Sequence, residues 1–206
     1  MTRVMAYLVT GGARSGKSTF AEQLASHLGE QGVYIATSRI WDEEMAERVA
    51  LHRNNREQSG FRWVTIEEPM ALSSRLQQLA MEAQKLKKRG DQPPVVLVDC
   101  LTLWLTNLLM EAEEREKSES SATVQDWLLK QVDDLDAIAK EAAYPLIFVT
   151  NEVGDGIVPA YPLGRKFRDE AGRLNQRMAG VCDKVFLVTA GIPVELKAIQ
   201  FQWDNL

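Results

Sequence analysis

Val4-Met5-Ala6-Tyr7-Leu8-Val9-Thr10 leads without a break into Gly11-Gly12-Ala13-Arg14-Ser15-Gly16-Lys17-Ser18, and a segment in which Phe20, Leu24 and Leu28 recur every four residues follows. The first run is apolar and of strand length. The last has the period of an amphipathic helix. Between them the spacing G-x-x-x-x-G-K-[ST] stands where it has a mechanism, after a strand and before a helix. The glycines let successive backbone N–H groups turn inward around phosphate oxygens, and the helix adds its positive N-terminal end. In that setting Lys17 reaches the β- and γ-phosphates, and Ser18 offers its hydroxyl to Mg2+.

Working outward, further runs of strand length are Gly32 to Thr37, Arg62 to Ile66, Val95 to Asp99, Leu146 to Thr150 and Lys184 to Thr189. They alternate with helical stripes, one through Leu72, Leu76, Leu79, Ala83 and Leu86, another through Trp127, Leu128, Leu135, Ile138 and Ala142. Strands alternating with helices predict a largely parallel sheet. The fold class expected is α/β, a single P-loop NTPase-like (RecA-like) domain over residues 1–206, mostly parallel sheet flanked by helices, with 195–206 as a C-terminal tail. Charged and Ser-rich Glu111 to Thr123 reads as an exposed connection or frayed helix end. Most strand runs close on polar or glycine junctions, among them Thr37-Ser38, Glu67-Glu68, Asp99, Thr150-Asn151-Glu152 and Thr189-Ala190-Gly191. Ligands of open α/β sheets bind outside the carboxyl ends of the strands, so these junctions are expected to form one rim. Asp99, closing Val95-Val96-Leu97-Val98, is placed to complete the Mg2+ shell; a helix cap is its other reading.

The chain has 206 residues, with 24 Lys plus Arg against 29 Asp plus Glu and a formal net charge of -5. A net acidic chain makes non-specific nucleic-acid or anionic-membrane binding a poor expectation, so a polyanionic ligand needs a local site. No run approaches the ~18–20 apolar residues of a membrane span. Met1 to Thr10 lacks the long apolar region of a signal peptide, and Cys100 and Cys182 lack a CxxC partner. A cytoplasmic protein without stable membrane insertion, its two thiols buried, is expected.

Of the two histidines, His27 follows the phosphate loop beside Leu28 and reads as structural or solvated. His52 lies in a segment that opens Asp42-Glu43-Glu44 and closes Arg53-Asn54-Asn55-Arg56. At helical spacing Arg48 and Arg56 fall on its face, four residues either side. Guanidinium forks bind phosphate, and neighbouring positive charge keeps an imidazole neutral and nucleophilic. Spacing alone leaves two readings, a phosphate-side nucleophile or a bystander on a solvated basic helix end. Ordinary small-molecule kinases need no such nucleophile.

Taken in order, the phosphate loop, Tyr34-Ile35-Ala36-Thr37-Ser38, Asp42-Glu43-Glu44-Met45 with Arg48 and His52, and Val98-Asp99-Cys100-Leu101-Thr102 with Thr106-Asn107 resemble one family. So do Val149-Thr150-Asn151-Glu152-Val153-Gly154, Phe167-Arg168-Asp169 and Asn175-Gln176. It is the bifunctional adenosylcobinamide kinase and adenosylcobinamide-phosphate guanylyltransferase family of cobalamin biosynthesis. The resemblance implies phosphorylation of adenosylcobinamide by ATP or GTP, then transfer of GMP from GTP through a guanylyl-histidine to adenosylcobinamide phosphate. It places the nucleophile on His52 and the nucleotide contacts on Gly11 to Ser18, Ala36, Thr37, Ser38, Arg53, Asn54, Asn55, Arg56, Glu67 and Asp99. A homotrimer also follows from it, while Mg2+ on Ser18 and Asp99 stays the reading of the loop and the strand end. Where the family commonly has Pro after the arginine at Arg56, this chain has Glu57.

Several features keep plain readings. The loop from Glu152 through Asp155 to the Pro159–Gly164 stretch is either a surface loop or a contact for the corrinoid or nucleotide. Arg165, Lys166, Arg168, Arg173 and Arg177 form a solvated basic face or one turned to phosphate or a neighbouring subunit. Trp104 reads as core or oligomer contact, and Phe201 and Trp203 as a packing tail. The competing functions are a small-molecule kinase without nucleotidyl transfer and a non-catalytic GTP-binding regulatory module. Against the module, the chain lacks an N-K-x-D guanine-reading motif.

Overall fold

A computed structural model describes residues 5–39 and 56–202, together with 43, 47, 50 and 54. In chain order the elements are β1 (Ala6–Thr10), α1 (Lys17–Leu28), β2 (Gln31–Ala36), β3 (Arg62–Glu67), α2 (Leu72–Arg89) and β4 (Val95–Asp99). There follow α3 (Leu101–Arg115), α4 (Ser121–Lys140), β5 (Leu146–Val149), α5 (Pro162–Val181), β6 (Lys184–Thr189) and β7 (Ile192–Glu195). Between β2 and β3 the described residues 43, 47, 50, 54 and 56–58 are helical.

The seven strands form one sheet in the order β3-β2-β4-β5-β1-β6-β7, parallel throughout except for β6 against β7. β1, β4 and β5 read as continuous apolar runs because both of their faces are covered. Ala6, Leu8, Val96, Val98, Leu146 and Phe148 pack with α2 to α5 in one core. The alternating Tyr7, Val9, Val95, Leu97, Ile147 and Val149 pack on the other face with Ala21 and Ala25 of α1. Trp104 of α3 is wholly buried in the first core and donates its indole N–H to Met70 O at 3.1 Å, which makes it a core residue. Cys100 and Cys182 are free and buried, and burial pushes both thiols up to about 12. Among the described residues no helix is long and apolar enough to cross a membrane.

Strand positions from sequence agree to within a residue, except that β1 begins at Ala6, two residues after the expected Val4. Two other expectations are corrected. Glu111 to Thr123 is not one connection: α3 runs on to Arg115 because Ala112 still packs in the core, and α4 begins at Ser121. Ser120 caps α4 by accepting the Thr123 N–H at 3.2 Å, so only 116–120 joins the two helices. The tail expected from 195 overlaps β7, which folds back antiparallel through Ala190-Gly191. Both have positive φ, 52° and 79°, as a two-residue hairpin turn of the strand-twist-matching kind requires. Alanine is an uncommon residue for that backbone, so the pair gave little sequence signal. Leu196 continues the pairing through its N–H to Val185 O at 2.7 Å, Phe201 is exposed, and Trp203 lies outside the described residues.

Leu97, at the centre of β4 and wholly buried, tests the two-sided core. Replacing it with alanine is expected to lower unfolding free energy by about 3 kcal/mol. Urea unfolding should show a lower midpoint at unchanged slope.

Candidate active site

Parallel pairing brings the carboxyl ends of β1 to β6 to one edge, and the predicted rim is built there. The phosphate loop leaves β1 and enters α1 through Gly16, whose φ is 93°. A Cβ on Gly11 would lie 2.4 Å from Val188 O of β6 and 2.7 Å from Ser15 Oγ, so the loop passes its neighbour with room for hydrogen only. A Cβ on Gly16 would meet Gly191 Cα at 3.1 Å. The hairpin turn also holds the loop directly, Gly191 donating to Ser15 O at 2.8 Å. Gly12, Ala13 and Arg14 stand exposed at the tip, and Ser18 is half-buried on the first turn of α1. Lys17 is buried, its Nζ donating to Gly12 O at 3.1 Å across the loop. That bond folds the ammonium back across the phosphate loop.

Asp99 closes β4, one strand removed from β1 with β5 between them. Its Oδ2 accepts the hydroxyl of Tyr34, a buried residue of β2, at 2.9 Å. Burial first, and the Asp99 charge second, raise the Tyr34 phenol well above its usual range, so it stays protonated and donates. The Arg56 guanidinium lies over the same ring, 3.6 Å from its centroid, and is only 4% exposed. Its Nη1 is 3.7 Å from Glu22 Oε1 on α1, beyond hydrogen-bond reach, and neither Nε nor Nη1 has a hydrogen-bond partner among the described residues. Glu22 is pushed up to about 7 chiefly by burial, with Arg56 opposing and Asp99 reinforcing the shift. It borders a pocket of about 480 Å³ between α1 and Ser59, Phe61 and Trp63.

A second web fixes the rim around Asp99. The Thr37 hydroxyl donates to Cys100 O at 2.7 Å and accepts the Cys100 N–H at 2.9 Å. The Thr37 N–H donates to Asp99 O, and buried Asn107 donates to Thr37 O at 2.8 Å and Pro69 O at 3.0 Å. At the exit of β5, Thr150 donates to Asn175 Oδ1 at 2.7 Å and Thr102 accepts the Asn151 N–H at 2.8 Å. Asn175 Nδ2 returns to Asn151 O at 3.1 Å, and the Glu152 N–H reaches Gly11 O at 3.1 Å. The Glu152 loop is thereby rooted against the phosphate loop.

The structure thus brings Gly11 to Ser18, Ala36, Thr37, Ser38 and Asp99 to one rim. Thr37 is wholly buried, with its amide, carbonyl and hydroxyl all engaged within the protein, while Ser38 beside it is half-buried. Glu67 is exposed at the end of β3, opposite Ala36, and Asn54 is exposed. His52, Arg48, Arg53 and Asn55 lie outside the described residues. His27 is exposed, its Nδ1 2.8 Å from Gln23 O within its own helix. The basic residues of α5 mostly meet acids: Arg168 meets Asp169, Arg173 meets Glu170, and Arg177 meets Asp133 and Asp136. Arg165 instead donates to Pro159 O and Ala160 O, bracing the loop that follows Glu152.

Comparison with known proteins adds an independent line. The model of the family described as cobinamide kinase / cobinamide phosphate guanyltransferase matches residues 7–196. The bifunctional adenosylcobalamin biosynthesis protein CobP of Pseudomonas aeruginosa is 41% identical over 191 residues, 92% of this chain and 96% of that protein. The bifunctional adenosylcobalamin biosynthesis protein CobU of Escherichia coli is 39% identical over 197 residues, 94% of this chain and all of that protein. Among solved structures, the RadB recombinase aligns with a TM-score of 0.40 at 21% identity, over 89% of this chain and 73% of that one.

Two measurements probe this geometry. Gly11→Ala forces the loop off Val188 O, so nucleoside triphosphate affinity is expected to fall at least about tenfold by calorimetry. For Glu22, a folded-state value raised from 4.5 to about 7 means that the native state holds the proton more tightly. Stability is therefore lost as pH rises through that window. Glu22→Gln lacks the titration, so its stability relative to the parent should rise by about 2 kcal/mol between pH 5 and 8 in urea unfolding. A pH-independent difference contradicts the assignment.

Proposed function

The chain belongs to the cobinamide kinase / cobinamide phosphate guanyltransferase family, and we propose that it performs both reactions at the one rim described above, with His52 as the nucleophile of the second. The observation that carries this reading is the assembly of a complete phosphate loop, Asp99 and Arg56 around one sheet edge. Arg56 stands four residues after His52 in the sequence.

In the kinase step the loop amides and Lys17 hold the triphosphate of ATP or GTP. The hydroxyl of the adenosylcobinamide side arm attacks the γ-phosphorus and the nucleoside diphosphate leaves. Positioning and charge stabilisation suffice for that transfer. In the second step a neutral imidazole nitrogen of His52 attacks the α-phosphorus of GTP. A P–N bond forms, the bond to the bridging oxygen breaks, and pyrophosphate departs. A phosphate oxygen of adenosylcobinamide phosphate then attacks the same phosphorus, releasing the imidazole and giving adenosylcobinamide-GDP. Arg53 and Arg56 offset negative charge gathering on the α-phosphate, and Ala36, Ser38, Asn54, Asn55 and Glu67 complete the nucleotide contacts.

Mg2+ would be held by Ser18 and Asp99. The donor set fits: one hydroxyl and one carboxylate, with no cluster of three His, Cys, Asp or Glu among the described residues, suit an ion that keeps its waters and leans on substrate phosphates. When bound, it supplies neutralising charge to the phosphates. Exposed Ile192 and Val194 on the edge strand β7, with Ile199 beyond it, support a subunit contact for a homo-oligomer.

GTP labelled at the α-phosphate is expected to leave acid-labile label on the protein that is lost in His52→Ala. Transfer from γ-labelled nucleotide to adenosylcobinamide should persist in that variant. Label that survives acid, or none on the parent protein, overturns the nucleotidyl step and leaves a plain kinase.

A further inference from the structure

Tyr34 lies inside a parallel strand, where its ring would pass for core, yet both of its parts are engaged with the site. Its hydroxyl makes the 2.9 Å bond to Asp99 Oδ2, across 65 positions of sequence. Its ring face supports the Arg56 guanidinium at 3.6 Å, and the ring stands perpendicular to that of Trp63, centroids 5.9 Å apart and planes at 90°. The hydroxyl bond engages Asp99 Oδ2 and so restrains the orientation of the carboxylate. The Arg56 contact is different in kind. Among the described residues Nε and Nη1 lack hydrogen-bond partners and Glu22 Oε1 stands 3.7 Å from Nη1, so the ring face is a principal support that these residues give the buried cation.

We propose that Tyr34 is a positioning residue for both reactions, its hydroxyl orienting Asp99 toward Mg2+ and its ring seating Arg56 beside the phosphate site. The proposal rests on the reading of Asp99 as metal carboxylate and His52 as nucleophile. It makes the two parts of one side chain separable by substitution, because phenylalanine keeps the platform and removes the hydroxyl, while leucine removes both.

Mn2+ titration followed by electron paramagnetic resonance, on the full chain with GTP present, reads the first part without turnover. Tyr34→Phe is expected to weaken Mn2+ binding by about tenfold, the effect of losing a hydrogen bond to a charged group. Cleavage by trypsin after Arg56 reads the second: protected in the parent and in Tyr34→Phe, cut readily in Tyr34→Leu. In turnover, Tyr34→Leu should lower the ratio of covalent guanylylation to γ-phosphoryl transfer by about tenfold at saturating Mg2+. Arg56→Met, which leaves Tyr34 in place, should lower that ratio equally, and it serves if the leucine variant does not fold. A Mn2+ titration of Tyr34→Phe that matches the parent overturns the proposal, as does an unchanged reaction ratio in Arg56→Met. Should the parent protein take no acid-labile label, the nucleotidyl reading fails instead, and the Mn2+ and trypsin measurements still decide the role of Tyr34.

Discussion

A parallel sheet sends every strand out at the same edge, and at that edge the backbone runs out of ladder partners. What replaces the ladder here is also what builds the site. Thr37 bonds across to Cys100 and Asp99, Glu152 reaches back to Gly11, and Gly191 reaches Ser15. Each bond satisfies a group orphaned by the end of a strand and fixes a residue beside the phosphate loop. Architecture and phosphate cradle are one set of hydrogen bonds, which is why the loop can approach Val188 so closely that only glycine fits at position 11.

The same edge concentrates charge. A chain of net charge -5 assembles Lys17, Arg56 and the loop amides on one rim, and it does so partly below the surface. Arg56 is held where water is scarce, against a ring face and a carboxylate that resists ionisation. A desolvated cation interacts more strongly with an arriving phosphate than a solvated one does, since less screening lies between them. Glu22 is the counterweight: ionised it partly neutralises Arg56, protonated it leaves the guanidinium's charge to act outward.

Most of the architecture was legible because strand and helix leave periodic signatures. Val95 to Val98 and the Leu72, Leu76, Leu79 and Ala83 stripe could be placed from spacing, and the phosphate loop carried its own mechanism. What spacing could not carry were contacts between distant positions. Tyr34 and Asp99 are brought together by the pairing of β2 with β4, Glu22 and Arg56 by the packing of α1 beneath them. In sequence Tyr34 is one more aromatic in an apolar run, and Glu22 one more exposed-looking acid on a helix. Asn107 and Asn175 stood out only as parts of a resemblance; their work as donors to strand-end carbonyls comes from the fold. The β7 hairpin was missed because Ala190 occupies a backbone conformation that side chains avoid.

The strand order carries a consequence for how the molecule comes into being. β1, the first strand, pairs with no early neighbour; its partners are β5 at Leu146 to Val149 and β6 at Lys184 to Leu187. Its loop is clamped by Glu152 and Gly191. β2, β3 and β4 can zip together soon after they are made, but the phosphate cradle must wait for the last quarter of the chain. Such non-local closure is slow, since the entropy of the long loop is spent before its contacts form. During synthesis, therefore, nucleotide can stabilise this protein only as its final strands emerge, and the apolar edges of β1 and β4 depend until then on being shielded by other means.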